Sequence, residues 1–169
     1  LIREQQLLEA MADMENKLNL MKEETSEYKK RMAQQKHKLL LDSLTQVFNR
    51  AAFDERVDLE YKRWLRYQTP LCLAIIDIDH FKSINDRFGH MVGDEILLLV
   101  SRLMSHTFRG SDLLYRYGGE EFVAIIAADN AKIAHNVFER VRLAIEAHIF
   151  PQIEHLTISI GYCQAMQDI

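Results

Sequence analysis

Tyr117-Gly118-Gly119-Glu120-Glu121-Phe122 lies between two apolar runs, Leu113-Leu114-Tyr115 before it and Val123-Ala124-Ile125-Ile126 after it. Two such runs joined by a Gly-Gly pair read as a β-hairpin, because glycine reaches the positive φ of a tight turn without a steric penalty. Two carboxylates, Glu120 and Glu121, open the returning strand, and strand alternation points them to opposite sides. A second acidic run, Asp77-Ile78-Asp79, closes the apolar stretch Leu71 to Ile76. Sheet pairing can bring carboxylates from two strand ends together. At about 4 Å two such charges repel by roughly 4 kcal/mol at an effective dielectric near 20. A divalent cation relieves that repulsion, and hard oxygen ligands suit Mg2+.

The 169 residues suffice for one domain plus an extension. A hydrophobic content of 48% with 27% charged residues is that of a soluble globular chain. The net charge of −4 argues against a general nucleic-acid or anionic-membrane binder. No apolar run approaches the roughly 20 residues of a membrane span. The chain opens on Leu1 with no signal peptide, which reads as a cytoplasmic segment of something longer. Cys72 and Cys163 fall in apolar strand-like runs and read as buried, reduced thiols. The seven histidines form no HExxH or Cys/His ligand pattern. Trp64 and Phe48 read as packing residues.

Residues 1–41 contain neither glycine nor proline. Leu7, Met14, Met21, Tyr28 and Gln35 alternate with Met11, Leu18, Thr25, Met32 and Leu39 in steps of four and three. That is a heptad seam, narrow enough to suit a partner helix rather than a helix packed on its own domain. Glu24 and Lys29 could pair across a parallel dimer, whereas Arg31 and Lys36 would repel. The expectation is a dimerising coiled-coil helix, of the kind that serves as a signalling linker, over 1–41 and a separate globular domain over 42–169.

Asp42 or Ser43 then offers a cap for a new helix, and a further helix is expected from Ala51 to about Tyr67, before Pro70. Leu71 to Ile76 fits a buried central strand. A helix is expected from Asp94 to Thr107, with Ile96, Leu97, Val100, Leu103 and Met104 inward. After the hairpin, a helix from Ala131 to Ala147 would bury Ile133, Val137, Val141, Leu143 and Ile145. Leu156 to Tyr162 reads as the last strand. The order β-α-β-β-α-β with a central hairpin is the ferredoxin-like arrangement of an α+β domain.

Gly118-Gly119-Glu120-Glu121-Phe122 resembles the signature of the GGDEF family of diguanylate cyclases, in its GGEEF form. Leu44-Thr45-Gln46-Val47-Phe48-Asn49-Arg50 is similar to the family's LTxLxNR entry motif, with Val47 and Phe48 adjusting its apolar positions. Thr157-Ile158-Ser159-Ile160-Gly161 resembles its TxSxG strand. The resemblance covers about residues 42–169 and implies the palm-type nucleotidyl cyclase fold. It also implies condensation of two GTP into cyclic di-GMP and two pyrophosphates. The family pattern makes Asp77, Glu120 and the carbonyl of Ile78 ligands of Mg2+ or Mn2+. Glu121 is either a base for the attacking 3′-hydroxyl or a ligand of a second metal. Asn85 and Asp94, eight and seventeen residues after Asp77, match the guanine-binding pair; Asp94 following Gly93 could equally cap a helix. Lys82 and the backbone around His80 and Phe81 would face phosphates.

Arg109 and Asp112, ending shortly before Gly118, match the family's RxxD inhibitory site for the product, with Arg140 as a supporting arginine. A local turn salt bridge between Arg109 and Asp112 is the plainer alternative. The family usually continues into a further helix with a lysine and an arginine for the terminal phosphates, and the sequence stops at Ile169 before it. The implied partners are GTP, cyclic di-GMP, a second copy through the coil and an upstream sensory domain. Nucleic acid and direct membrane insertion are not expected. The competing function is a non-catalytic receptor for cyclic di-GMP or GTP, or a dimerising relay.

Overall fold

A computed structural model describes residues 2–165. Residues 1 and 166–169, the outer ends of the two expected domains, lie outside the described residues. The elements are α1 (Ile2–Leu39), α2 (Arg50–Tyr67), β1 (Cys72–Ile78), α3 (Phe81–Phe88), α4 (His90–Thr107), β2 (Leu113–Gly118), β3 (Glu121–Ile126), α5 (Ala131–Ala147) and β4 (Ile158–Gln164). Two compact units divide at Leu39/Leu40.

The first unit is α1, 38 residues of uninterrupted helix with no buried residue. Both heptad rows are solvent-exposed along it, from Leu7 and Met11 to Met32 and Leu39. Thr25, a polar member of the seam, turns its hydroxyl back to the Met21 carbonyl at 2.7 Å. No helix among the described residues is long and apolar enough to cross a membrane.

The second unit is built on a four-stranded sheet in the order β2-β3-β1-β4, antiparallel at every pairing. This is the ferredoxin-like order, and β1 is central because it is apolar on both faces. Cys72, Ala74, Ile76 and Ile78 face one side, packed with Val100 and Met104 of α4 and Val141 and Ile145 of α5. Leu73 faces the other, where α2 places Ala52 and Phe53 against Tyr115, Val123 and Ile125.

Several expectations are corrected. No helix starts at Asp42 or Ser43. Residues 42–47 close a turn instead, with the Asp42 amide donating to the Val47 carbonyl at 2.7 Å and the Asp42 carboxylate accepting from the Thr45 amide at 2.8 Å. The side chain that caps α2 is Asn49, which accepts from the Ala52 amide at 3.0 Å. Burial works against the Asp42 carboxylate, but hydrogen bonds from Thr45 and Arg116 outweigh it and hold its pKa below the usual value.

Two helices, not one, separate β1 from β2. The short α3 has too few residues to show a periodic stripe, and α4 begins at His90, so Asp94 is not its cap. Ile133 and Leu143 of α5 are exposed, because the inward stripe runs through Ala134, Val137, Phe138, Val141 and Ile145. Cys72 is buried, which pushes its thiol up to about 11. Cys163 is exposed, since it lies on the edge strand β4, opposite Leu73 on the sheet face away from α4 and α5.

Candidate active site

The sheet register builds the site. Asp77 pairs with Glu121, and the Ile78 amide donates to the Glu120 carbonyl at 3.4 Å. The end of β1 therefore meets the turn of the β2–β3 hairpin. Gly119 occupies that turn at φ +46°, in the left-handed region that favours glycine. Burial raises the pKa of Asp77, and the charges of Glu120, Glu121 and Asp79 raise it further. Each of these neighbouring charges works against the ionised form of Asp77. No cluster of three or more His, Cys, Asp or Glu side chains spaced to hold a metal occurs among the described residues. The two side chains Asp77 and Glu120 with the main-chain carbonyl of Ile78 make a hard-oxygen set of the kind a divalent cation takes. The repulsion felt at Asp77 fits such an occupant.

That repulsion has a sign. A carboxyl whose folded pKa is raised stabilises the fold below its ordinary pKa, and this contribution is lost as pH rises through the raised value. Without metal, ionising Asp77 therefore works against the fold. Asp77→Asn is expected to stabilise the metal-free protein by about 0.5 kcal/mol, the scale of an opposed like-charge strand pair. In thermal unfolding that is a rise of about 2 °C, together with loss of Mn2+ binding in a titration. A lower melting temperature would contradict the crowding.

Asp79 has a separate task. Its carboxylate accepts from the hydroxyls of Thr157 at 2.7 Å and Ser159 at 2.6 Å, and its amide donates to the Thr157 carbonyl at 3.0 Å. The last strand thereby clamps the exit of β1. His80 then turns the chain at φ +56°, and α3 starts at the buried Phe81. The amides at the α3 N-terminus and the exposed Lys82 beside them can face an anion.

Asn85 lies one turn further along α3. Its Oδ1 is buried and has no hydrogen-bond partner, although a buried acceptor left unpaired costs about 1–3 kcal/mol. The amide rests on Gly93 of α4: a Cβ at 93 would lie 1.8 Å from Asn85 Oδ1. Asp94 follows immediately and is exposed. The structure so packs the Asn85 amide against the residue that precedes Asp94.

The Arg109–Asp112 stretch is a turn. Its carboxylate accepts from the Arg109 main-chain amide at 2.9 Å, and the Asp112 amide donates to the Arg109 carbonyl at 2.9 Å. The turn is thus closed through the backbone, not through the guanidinium. Arg140 of α5 donates to the Thr107 carbonyl at 3.2 Å, which brings it to the same corner.

Sequence reasoning passed over Gly93, Asp79, Thr157 and Ser159 as structural partners of these groups. A glycine inside a helical pattern costs about 1 kcal/mol against alanine, which is a signal that something packs there. Nothing local in the sequence links Asp79 to strand β4.

The family model described as diguanylate cyclase, GGDEF domain, matches residues 39–168. Among curated relatives, the diguanylate cyclase DgcP of Pseudomonas aeruginosa is 37% identical over 144 residues, covering 85% of this chain and 22% of that protein. The chain thus spans about a fifth of that relative's length. The crystal structure of the coiled coil and GGDEF domain of DgcB from Caulobacter crescentus, in complex with c-di-GMP, superposes with a TM-score of 0.78. It is 26% identical and covers 90% of this chain and 83% of that one. The diguanylate cyclase SiaD in complex with its activator SiaC, from Pseudomonas aeruginosa, gives a TM-score of 0.76 at 29% identity over 97% of this chain and 66% of that one.

Proposed function

The chain belongs to the GGDEF diguanylate cyclase family, and from that premise we propose that it condenses two GTP molecules into cyclic di-GMP. The observation that carries the proposal is the meeting of Asp77 with the Glu120-Glu121 turn, which gathers negative charge at the end of β1. In each half-reaction a 3′-hydroxyl oxygen forms a bond to the α-phosphorus of the other GTP. The bond from that phosphorus to the bridging oxygen breaks, and pyrophosphate leaves with its electron pair. The hydroxyl proton passes to a base, and Glu121 is the residue we assign to take it or to help hold a second metal.

Asp77, Glu120 and the Ile78 carbonyl would hold Mg2+ or Mn2+. Such an ion supplies charge neutralisation on the triphosphate oxygens. Asn85 Oδ1 accepts from a guanine N–H, and Asp94 accepts from the remaining donors on that edge. Lys82 and the amides following His80 take the phosphates.

Each chain offers one such site, so two GTP molecules meet across a homodimer, with the exposed seam of α1 as its coiled coil. The same helix would connect to an upstream sensory domain, and the cytoplasm, where GTP is available, is the compartment. Incubation of the chain with GTP and Mg2+, followed by chromatography, should yield cyclic di-GMP at a rate per chain that rises with protein concentration. Pyrophosphate without the cyclic product, or no turnover, would sink the reading.

Arg109, Asp112 and Arg140 form a product-binding corner that restrains turnover. Arg109 offers a guanidinium fork for phosphate or guanine acceptors, and Asp112 an acceptor for guanine donors. Arg109→Ala should leave the initial rate within about twofold while raising the inhibitory product concentration about tenfold or more, since a bidentate charged contact carries about 1.5–3 kcal/mol. Unchanged inhibition in progress curves would remove this corner from the regulation.

A further inference from the structure

The β2–β3 turn bears Glu120 on a backbone with two consecutive glycines, Gly118 and Gly119. Glycine restricts its own dihedrals less than any other residue, so these residues do not fix where Glu120 points. The structure supplies the constraint from outside the turn. Arg116 donates to the Gly119 carbonyl twice, from Nε at 3.0 Å and from Nη2 at 2.8 Å. Its Nη1 donates to Asp42 Oδ1 at 3.0 Å. The same Asp42 oxygen accepts from the Thr45 amide and hydroxyl, at 2.8 and 2.7 Å. The Arg116 amide donates to the Phe48 carbonyl at 2.7 Å, which ties the strand itself to the 42–48 segment.

The carbonyl of Gly119 and the amide of Glu120 belong to one planar peptide unit. Holding that oxygen at two points therefore sets the plane from which Glu120 departs. The following peptide is held by the bond from the Ile78 amide to the Glu120 carbonyl. Glu120 is pinned on both flanks, by Arg116 on one side and by the candidate metal-binding end of β1 on the other. The guanidinium suits this task because its donors lie in one rigid plane and it is always charged. The Arg116 and Asp42 side chains are only 16% and 20% exposed, so the pair is sheltered from the screening that weakens surface bridges.

We propose that Arg116 is a positioning residue for Glu120 and that Asp42 is its anchor, so that the charge state and placement of Asp42 set how well the turn receives a divalent cation. The proposal rests on the reading of Asp77 and Glu120 as the cation-holding acids. Asp42 lies three residues beyond the end of α1, so the anchor belongs to the first segment of the second unit. Nothing in the hairpin's own sequence requires it.

The test compares the unmutated chain with Arg116→Lys, Asp42→Asn and the double variant. Mn2+ is titrated by electron paramagnetic resonance with and without GTP, and kcat and KM for GTP are measured at a temperature well below each melting point. Lysine keeps the charge but cannot fork onto Gly119 while holding Asp42. Asparagine keeps an acceptor for Thr45 and removes the charge. Arg116→Lys should weaken Mn2+ binding by about tenfold to a hundredfold, the usual effect of losing a group that orients a metal ligand. Its kcat should fall in parallel while KM for GTP stays within about twofold of the parent, because guanine is held at Asn85 and Asp94. Asp42→Asn should shift both in the same direction by less, and the double variant should be no worse than Arg116→Lys.

Variants that melt earlier yet bind Mn2+ and turn over as the parent does would overturn the proposal and leave Arg116 as a fold clamp only. If Arg116→Lys does not fold, Asp42→Asn decides on the same readouts. An unmutated chain that binds Mn2+ but makes no cyclic di-GMP would remove the cyclase reading, and the Mn2+ comparison would still decide the positioning role.

Discussion

Glu120→Gln is expected to lower cyclic di-GMP synthesis by about a thousandfold or more, a loss of at least about 4 kcal/mol of transition-state stabilisation. The amide keeps the size of the side chain and removes its charge. The turn is held by main-chain bonds on both flanks, to Arg116 and to Ile78, so the substitution has little to disturb in the fold. It also removes one of the charges that crowd Asp77. The melting temperature of the metal-free protein should therefore hold or rise slightly, while Mn2+ binding is lost. Activity within tenfold of the parent would exclude Glu120 as a ligand.

Gly93→Ala is the second large effect, and it separates recognition from folding. A methyl at this position meets Asn85 Oδ1 at 1.8 Å, Asn85 Cγ at 2.9 Å and Phe81 Cζ at 3.3 Å. The Asn85 amide must swing away, since it is the end of a movable side chain and the helix backbone is not. Alanine in place of glycine favours α4 by about 1 kcal/mol, which offsets much of the crowding. The fold should hold, with a melting temperature within about 4 °C of the parent. KM for GTP should rise about tenfold or more, since each lost 1.4 kcal/mol of binding is tenfold. Asn85→Ala should reproduce the rise, and the double variant should add little to it, because both remove one interaction. Unchanged KM in Gly93→Ala would mean that the buried Oδ1 does not receive the base.

The β-α-β-β-α-β order was legible because the strands are strongly apolar and the hairpin carries its own glycines. Leu71 to Ile76 could only be central, and α5 from Ala131 to Ala147 follows from its apolar stripe. The short α3 escaped because eight residues complete barely two turns, too few for periodicity to rise above composition. Ile133 and Leu143 were misplaced for a related reason: α5 carries apolar residues over more of its circumference than the sheet covers, and Ala134 takes an inward place with a small side chain. Cys163 was read from its apolar neighbours, whereas its exposure follows from the edge position of β4. Asp77, Glu120 and Glu121 could be picked out as acids at strand ends, and Asn85 and Asp94 through the family resemblance. What held them could not. The clamp from Thr157 and Ser159 onto Asp79, and the link from Asp42 through Arg116 to Gly119, join residues 74 to 80 positions apart. Their partners are adjacent only once the sheet has formed.

The alternation along β1 also acts as a proofreading device. Cys72, Ala74, Ile76 and Ile78 are almost wholly buried on one face, and Asp77 projects from the other. A slip of one residue would send that apolar row to the opposite face and drive Asp77 into the core. Each isoleucine so displaced forfeits about 1.5–3 kcal/mol of burial, before the buried carboxylate is counted. A molecule with β1 out of register is thus not a low-lying alternative state; it is scarcely folded at all. Damage to the core of this protein should accordingly thin the population of working molecules and leave each survivor turning over at the full rate.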